Sequence, residues 1–165
     1  MDAFEFNSFL KNHNLTITTA ESITAGLLSG TIASVPGASS ILKGGIITYQ
    51  EELKIKLLGV NPQTLKKHSA ESAETTIEMV NGLANLLPNS DIHVAVTGVA
   101  SAPVNDYKIT KPVGQIYVAV RFRNNTFVFD TVINGTCRNQ IREKAVNYIF
   151  DKVVEVVSKN LLRLK

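Results

Sequence analysis

Apolar and polar positions follow two different periods along this chain, and the period changes repeatedly from one segment to the next. Phe4 to Asn14 reads as a short helix, and Leu15-Thr16-Ile17-Thr18-Thr19-Ala20 has the β-branched, alternating character of a strand. From Thr24 to Ser34, Leu27, Leu28 and Ile32 fall at helical intervals, and Val35-Pro36-Gly37 supplies the stop. Gly44 to Tyr49 predicts a strand, followed by a helical turn from Lys54 to Leu58, a break from Gly59 to Pro62, and a long helix from Ser69 to Leu87 ended by Pro88. Ile92-His93-Val94-Ala95-Val96 is an apolar run of the kind buried between two layers. A polar loop from Ala100 to Pro112 leads to two strands, Val113 to Phe122 and Thr126 to Ile133, joined by Arg123-Asn124-Asn125 as a hairpin. Arg138 to Leu164 closes the chain as a long amphipathic helix.

Helices alternate with strands first and a hairpin comes late. The expected fold class is therefore α/β: a single-domain, three-layer α/β/α sandwich around a mixed β-sheet, with residues 1–165 as one unit and no repeat or linker. Composition agrees, since 44% hydrophobic and 19% charged residues in 165 suit one folded domain. The lone Cys137 cannot close an internal disulfide, which suits a reducing compartment, so a cytoplasmic location is expected. Met1-Asp2-Ala3-Phe4-Glu5 lacks the basic start of a secretory signal, and no apolar run approaches the ~20 residues of a membrane span, so no membrane partner is expected. The net charge is +3 and the pI about 9.0, but cations are interspersed with Glu51, Glu52, Glu71, Glu74 and Glu78. Polynucleotide binding needs a clustered basic surface and is not expected; a phosphate-bearing small molecule needs only one or two of these cations.

Three polar clusters are candidates for chemistry. Thr19-Ala20-Glu21-Ser22-Ile23-Thr24-Ala25-Gly26 lies where a strand gives way to a helix, a junction at which unpaired N–H groups face an anion or a developing oxyanion. Helix capping by Ser22 or Thr24 is the alternative. Tyr49-Gln50-Glu51-Glu52-Leu53-Lys54 holds a phenol and an amine five positions apart; either becomes a base for a serine hydroxyl when burial or neighbours lower its pKa, and the alternative is a solvated surface helix. Thr97-Gly98-Val99-Ala100-Ser101-Ala102-Pro103 ends a buried strand in small residues that let backbone approach a ligand, or that simply make a turn. Arg138 and Arg142 lie one turn apart, as a phosphate clamp or as a solvated face. His13, His68 and His93 show no metal-ligand spacing with one another or with Cys137; His93 suits a satisfied core or edge role, and Cys137 a packed one.

Taken in order, these motifs resemble the C-terminal domain of competence/damage-inducible CinA proteins and the similar stand-alone nicotinamide-nucleotide amidohydrolases. The resemblance spans nearly the whole chain. It is carried by residues 19–26 against the family's TAESCTGG, by Val35-Pro36-Gly37-Ala38-Ser39 with Gly44-Gly45, and by Tyr49, Lys54 and Leu57-Leu58-Gly59-Val60. Val94 to Ala100, Lys111-Pro112-Val113-Gly114, and Gly135 with Arg138 and Arg142 add to it. It implies hydrolysis of the carboxamide of nicotinamide mononucleotide to nicotinate mononucleotide and ammonia, with Ser22 as nucleophile and with Tyr49 and Lys54 assisting proton transfer. It also implies substrate contacts from Glu21, Ile23, Thr24, Gly45, Thr97, Gly98, Arg138 and Arg142, no metal and no cofactor, and self-association of the chain. N–H groups near Ile23 and Thr24 would stabilise the oxyanion, each donor contributing roughly 2.7–4 kcal/mol in such sites.

The chain departs from the family pattern at Ile23 and Ala25, where TAESCTGG has Cys and Gly, and at Gln50-Glu51, where Ser-Asn is usual. It also departs at Gly98-Val99-Ala100-Ser101-Ala102-Pro103-Val104-Asn105, which replaces a glycine-rich loop. These departures define the competing expectation, a catalytically silent, nucleotide-sensing or protein-interaction relative of the same family.

Overall fold

The computed structural model describes residues 1–102 and 110–162. Pro103, Val104 and Asn105 of the expected loop, and Leu164 at the expected end of the last helix, lie outside the described residues. In chain order the elements are α1 (Ala3–Asn12), β1 (Ile17–Glu21), α2 (Leu27–Ala33), a 3-10 turn (Ala38–Ser40), β2 (Leu42–Ile47), α3 (Glu51–Leu58), α4 (Pro62–His68), α5 (Ala73–Leu86), β3 (Ile92–Gly98), β4 (Gln115–Phe122), β5 (Asn125–Val132) and α6 (Arg138–Leu162).

The strands form one sheet in the order β2-β1-β3-β4-β5. β1 runs parallel to both β2 and β3, and β3, β4 and β5 are successively antiparallel, so the sheet is mixed. Alternation along β3 divides the core. Ile92, Val94 and Val96 face a layer built from Phe6 and Leu10 of α1, Leu28 and Ile32 of α2, and Ile149, Phe150 and Val153 of α6. On the opposite face, Ala20, Ala95 and Ala119 stand in one register row across three strands and pack beneath Met79, Val80 and Leu83 of α5, with Leu58 and Leu65 alongside. The alanine row lets α5 lie close to the sheet. Its Gly82 in turn meets α3 so closely that an added Cβ would run into the carbonyl of Leu58. Packing through small residues thus fixes the seating of α3, which matters below because α3 carries Lys54.

The expected layers are present, and the differences lie in where helices begin. The helix expected from Thr24 begins at Leu27, because Ala25 (φ +48°) and Gly26 (φ +91°) make a left-handed turn first. The long helix expected from Ser69 begins at Ala73, after Ser69 at φ +75° and with Ser72 accepting a hydrogen bond from Thr75 N. The break from Gly59 to Pro62 also opens α4, which the periodicity did not predict. Asn61 caps that helix by accepting from Gln63 N, and Pro62 occupies the first turn, where a missing N–H costs nothing. The hairpin is tighter than expected: Phe122 pairs with Asn125, leaving only Arg123 and Asn124 in the turn.

Candidate active site

Parallel pairing of β1 with β3 brings two of the polar clusters together, since both strands end at the same edge of the sheet. Ser22 is the first residue beyond β1, held there by its N–H donating to the Val96 carbonyl at 3.0 Å. On the other side β1 pairs with β2, whose exit is tied back by Thr48 N–H to the Glu21 carbonyl at 2.8 Å. From there the chain turns directly into α3, with Glu51 and Glu52 in the first turn, where carboxylates favour the helix dipole.

One turn into α3, Lys54 points inward. Its Nζ donates to Ser22 Oγ at 2.9 Å, to the Thr48 carbonyl at 2.7 Å and to the Tyr49 carbonyl at 3.4 Å. The side chain is only 1% exposed. Burial therefore pulls its pKa down from 10.5 to about 8, against the opposing pull of Glu71 and, more weakly, Glu51. An amine that is hydrogen-bonded to a serine hydroxyl and releases its proton near pH 8 has the properties of a general base for that hydroxyl.

A cavity of about 620 Å³ opens over Ser22, a size suited to a small-molecule ligand. Ile23, Tyr49, Ala70, Glu71, Gly98 and Ser101 are among the residues on its wall, with Arg138 as the cation there among the described residues. Arg138 spans the cavity, its guanidinium donating to the Tyr49 hydroxyl at 3.0 Å and to Ser101 Oγ at 2.5 Å. The Tyr49 phenol is thus engaged with Arg138. Among the described residues it makes no hydrogen bond to Ser22, and Lys54 alone of the two expected partners reaches that hydroxyl. A second aromatic-lined cavity, between β5 and α6, has no comparable set of reactive groups.

Several residues expected to touch a ligand have other work. Glu21 turns its carboxylate under the start of α2: Oε2 accepts from Gly26 N at 2.9 Å and Leu28 N at 3.0 Å, and Oε1 accepts from Ser29 N at 2.9 Å and Ser29 Oγ at 2.6 Å. The helix N-terminus expected to face an anion is therefore filled from within by the protein's own anion. Gly45 stands opposite this network; a Cβ there would strike the Ser29 and Thr19 hydroxyls that bond each other at 2.6 Å. Thr97 donates to the Ala70 carbonyl at 2.9 Å, is 1% exposed and is not among the residues that line the cavity. Arg142 donates to the Thr24 carbonyl at 2.7 Å, so it braces the loop after Ser22 from behind. Thr24 itself is fully buried. Among the described residues the N–H groups of Ile23 and Thr24 meet no hydrogen-bond acceptor, which leaves them as the donors beside Ser22.

Ala25 holds a left-handed φ of +48° in this loop, at the position where TAESCTGG has glycine. A Cβ in that conformation costs about 1–2 kcal/mol, part of which is recovered because glycine is freer in the unfolded chain. Ala25→Gly is therefore expected to stabilise the protein by about 0.5–1 kcal/mol, a rise in melting temperature of about 1–4 °C. A scanning calorimetry trace showing a lower melting temperature for the variant would contradict this account of the turn.

Sequence reasoning passed over Glu71 as a wall residue. The periodicity predicts it within a helix running from Ser69, whereas the Ser72 cap places it in the turn before α5, at the cavity. The pairing of Ser72 with Thr75 at cap spacing is the signal that could have found it. His93 has the satisfied role expected of it, with Nε2 bonded to the Leu87 carbonyl at 2.8 Å, and Cys137 is exposed rather than packed. No cluster that could hold a metal ion occurs among the described residues, nor any helix long and apolar enough to cross a membrane.

These features define a class: a single α/β/α domain with a buried serine–lysine pair beneath a cavity at one edge of a mixed sheet. Within that class the chain belongs to the CinA C-terminal domain family, whose model matches residues 3–157. A putative competence-damage inducible protein of Acetivibrio thermocellus is 41% identical over 150 residues, covering 91% of this chain but 35% of that protein. The Protein MG115 homolog of Mycoplasma pneumoniae is 40% identical over 149 residues, covering 90% of this chain and 92% of that one. The chain thus spans little more than a third of some relatives, such as the CinA-like protein of Petrotoga mobilis at 37%, and nearly all of others. Among solved structures, the competence damage-inducible protein A of Klebsiella pneumoniae superposes with a TM-score of 0.87 at 27% identity, covering 96% of this chain and 98% of that one.

Proposed function

We propose that this protein is a nicotinamide-nucleotide amidohydrolase that converts nicotinamide mononucleotide and water to nicotinate mononucleotide and ammonia. The observation that carries the reading is the 2.9 Å contact between Ser22 Oγ and the buried Lys54 amine, at the floor of the cavity. Neutral Lys54 takes the proton as Ser22 Oγ bonds to the carboxamide carbon, and the N–H groups of Ile23 and Thr24 face the oxyanion. The same ammonium then gives its proton to the departing nitrogen, and ammonia leaves a nicotinoyl ester on Ser22. Water, deprotonated in turn by Lys54, attacks that ester and restores the hydroxyl. Arg138 supplies the positive charge for the ribose phosphate, while Tyr49 orients that guanidinium through its hydroxyl.

The purified protein is expected to release one ammonia per nicotinate mononucleotide formed, and Ser22→Ala to release none above background. Mass spectrometry of the parent, quenched with substrate present, should show the nicotinoyl ester on the peptide containing Ser22. The carboxylates of Glu51, Glu52 and Glu71 on the cavity wall are what favour the silent relative instead. Nucleotide binding without ammonia release would establish that alternative.

A further inference from the structure

Most glutamates of this domain have an evident structural task. Glu21 caps α2, Glu74 pairs with His68, Glu78 accepts from Asn61 N and Thr64 Oγ1, and Glu155 pairs with Lys152 and Lys159. Glu71 has no such task. It is half-buried on the wall of the cavity, and among the described residues its carboxylate makes no ion pair and has only its own backbone N–H as a hydrogen-bond partner, while its carbonyl accepts from Ser69 Oγ. Its charge is nonetheless felt at the reaction centre, where it opposes burial and favours the protonated form of Lys54. Burial works against that charge and raises the Glu71 pKa. Once Lys54 gives up its proton, that half-buried carboxylate loses the positive charge that offsets it, which is unfavourable unless something positive arrives to face it.

The proposed substrate brings such a charge. In nicotinamide mononucleotide the ring nitrogen is quaternary and lies three bonds from the carboxamide carbon, so a carboxamide held at Ser22 carries a positive ring into the same part of the cavity. When the serine proton moves to Lys54, two cations then stand side by side. We infer that Glu71 is a specificity-determining residue, the counter-charge that makes this cavity select amides borne on a cationic ring over their uncharged equivalents. The inference rests on the amidohydrolase reading and adds to it the group that reads the ring's charge. Glu51, also on the wall, contributes in the same sense from the start of α3; among the described residues Lys54 is the cation that acts against Glu71, and Arg138 stands on the same cavity wall.

The test is calorimetric binding to the Ser22→Ala protein, which cannot turn over, using nicotinamide mononucleotide and its reduced dihydropyridine form. The two share phosphate, ribose and carboxamide and differ in ring charge. The cationic form is expected to bind about tenfold more tightly or better, as for a unit charge near a partly buried carboxylate. Adding Glu71→Gln should remove most of that preference by weakening the cationic ligand alone, and Glu71→Asp should keep it. Equal affinity for both forms before Glu71 is touched would overturn the inference without recourse to a further variant. A preference unchanged in Glu71→Gln, or both ligands weakened together, would overturn it as well while leaving the amidohydrolase reading intact. If neither ligand binds and the parent protein releases no ammonia, that reading falls and this inference with it.

Discussion

Lys54→Met is expected to reduce ammonia release from nicotinamide mononucleotide by about 10³-fold, within the range of a lost general base, while leaving the cavity wall in place. The parent should show the lysine in its pH profile. Only the neutral amine can take the Ser22 proton, so the rate should fall about tenfold for each pH unit below a midpoint near 8, the value to which burial brings Lys54. The variant's residual rate should lack that limb. The same group has a signature in stability that does not depend on the reaction. Its pKa is near 10.5 in the unfolded chain and about 8 in the fold, so between those values the unfolded chain holds a proton that the folded one has released. Stability from this group therefore rises with pH across that window, by on the order of 3 kcal/mol at 1.36 kcal/mol per unit. Below pH 8 both states are protonated and the full burial cost is present. Urea unfolding at pH 8 and pH 10 checks this: the parent should gain relative to Lys54→Met, and parallel behaviour of the two would refute the burial-shifted lysine.

That Lys54 has this character was only half legible in the sequence. Between Glu51, Glu52 and Lys56 it looks like one more charge on a solvated helix, and nothing local distinguishes it from Lys56, which does pair with Glu52 at the surface. What separates the two is topology: β2 lies beside β1, so α3 starts directly over the residue that follows β1. Ser22 was easier, because small and hydroxylated residues where a strand pattern yields to a helix pattern mark a ligand-facing edge in most α/β folds. The layers were legible for a similar reason, since the unbroken apolar run of β3 has to be covered on both faces. Side-chain direction was not. Glu21 is adjacent to Ser22 in sequence, and alternation on a strand sends neighbours to opposite faces, so one reaches the cavity while the other goes under α2. Thr97 and Gly98 divide in the same way at the end of β3, the hydroxyl bonding inward to Ala70 and the glycine lining the cavity.

The buried carboxylate of Glu21 sets the largest expected effect on folding. It is 1% exposed and satisfies three backbone N–H groups together with the Ser29 hydroxyl, with Thr19 Oγ1 adding a longer contact at 3.2 Å. Removing it leaves those donors facing a void, and each buried donor without a partner costs about 1–3 kcal/mol. Relief of the carboxylate's own desolvation, and water entering the space, offset part of that sum. Glu21→Ala should therefore lose about 3–5 kcal/mol, a large share of the roughly 5–15 kcal/mol available to a domain of this kind. Glu21→Gln should lose about 2 kcal/mol, because its amide keeps one acceptor oxygen but turns an NH₂ toward donors where the second oxygen stood. Because Ser22 follows directly and Thr48 N bonds the Glu21 carbonyl, the damage should reach the serine–lysine pair before the protein unfolds. Ammonia release in the folded Glu21→Gln protein should fall through kcat, with KM nearly unchanged, since Arg138 and the cavity wall are untouched. Urea denaturation of both variants supplies the check, and a Glu21→Ala protein within 1 kcal/mol of the parent would mean that α2 is held by its apolar face alone.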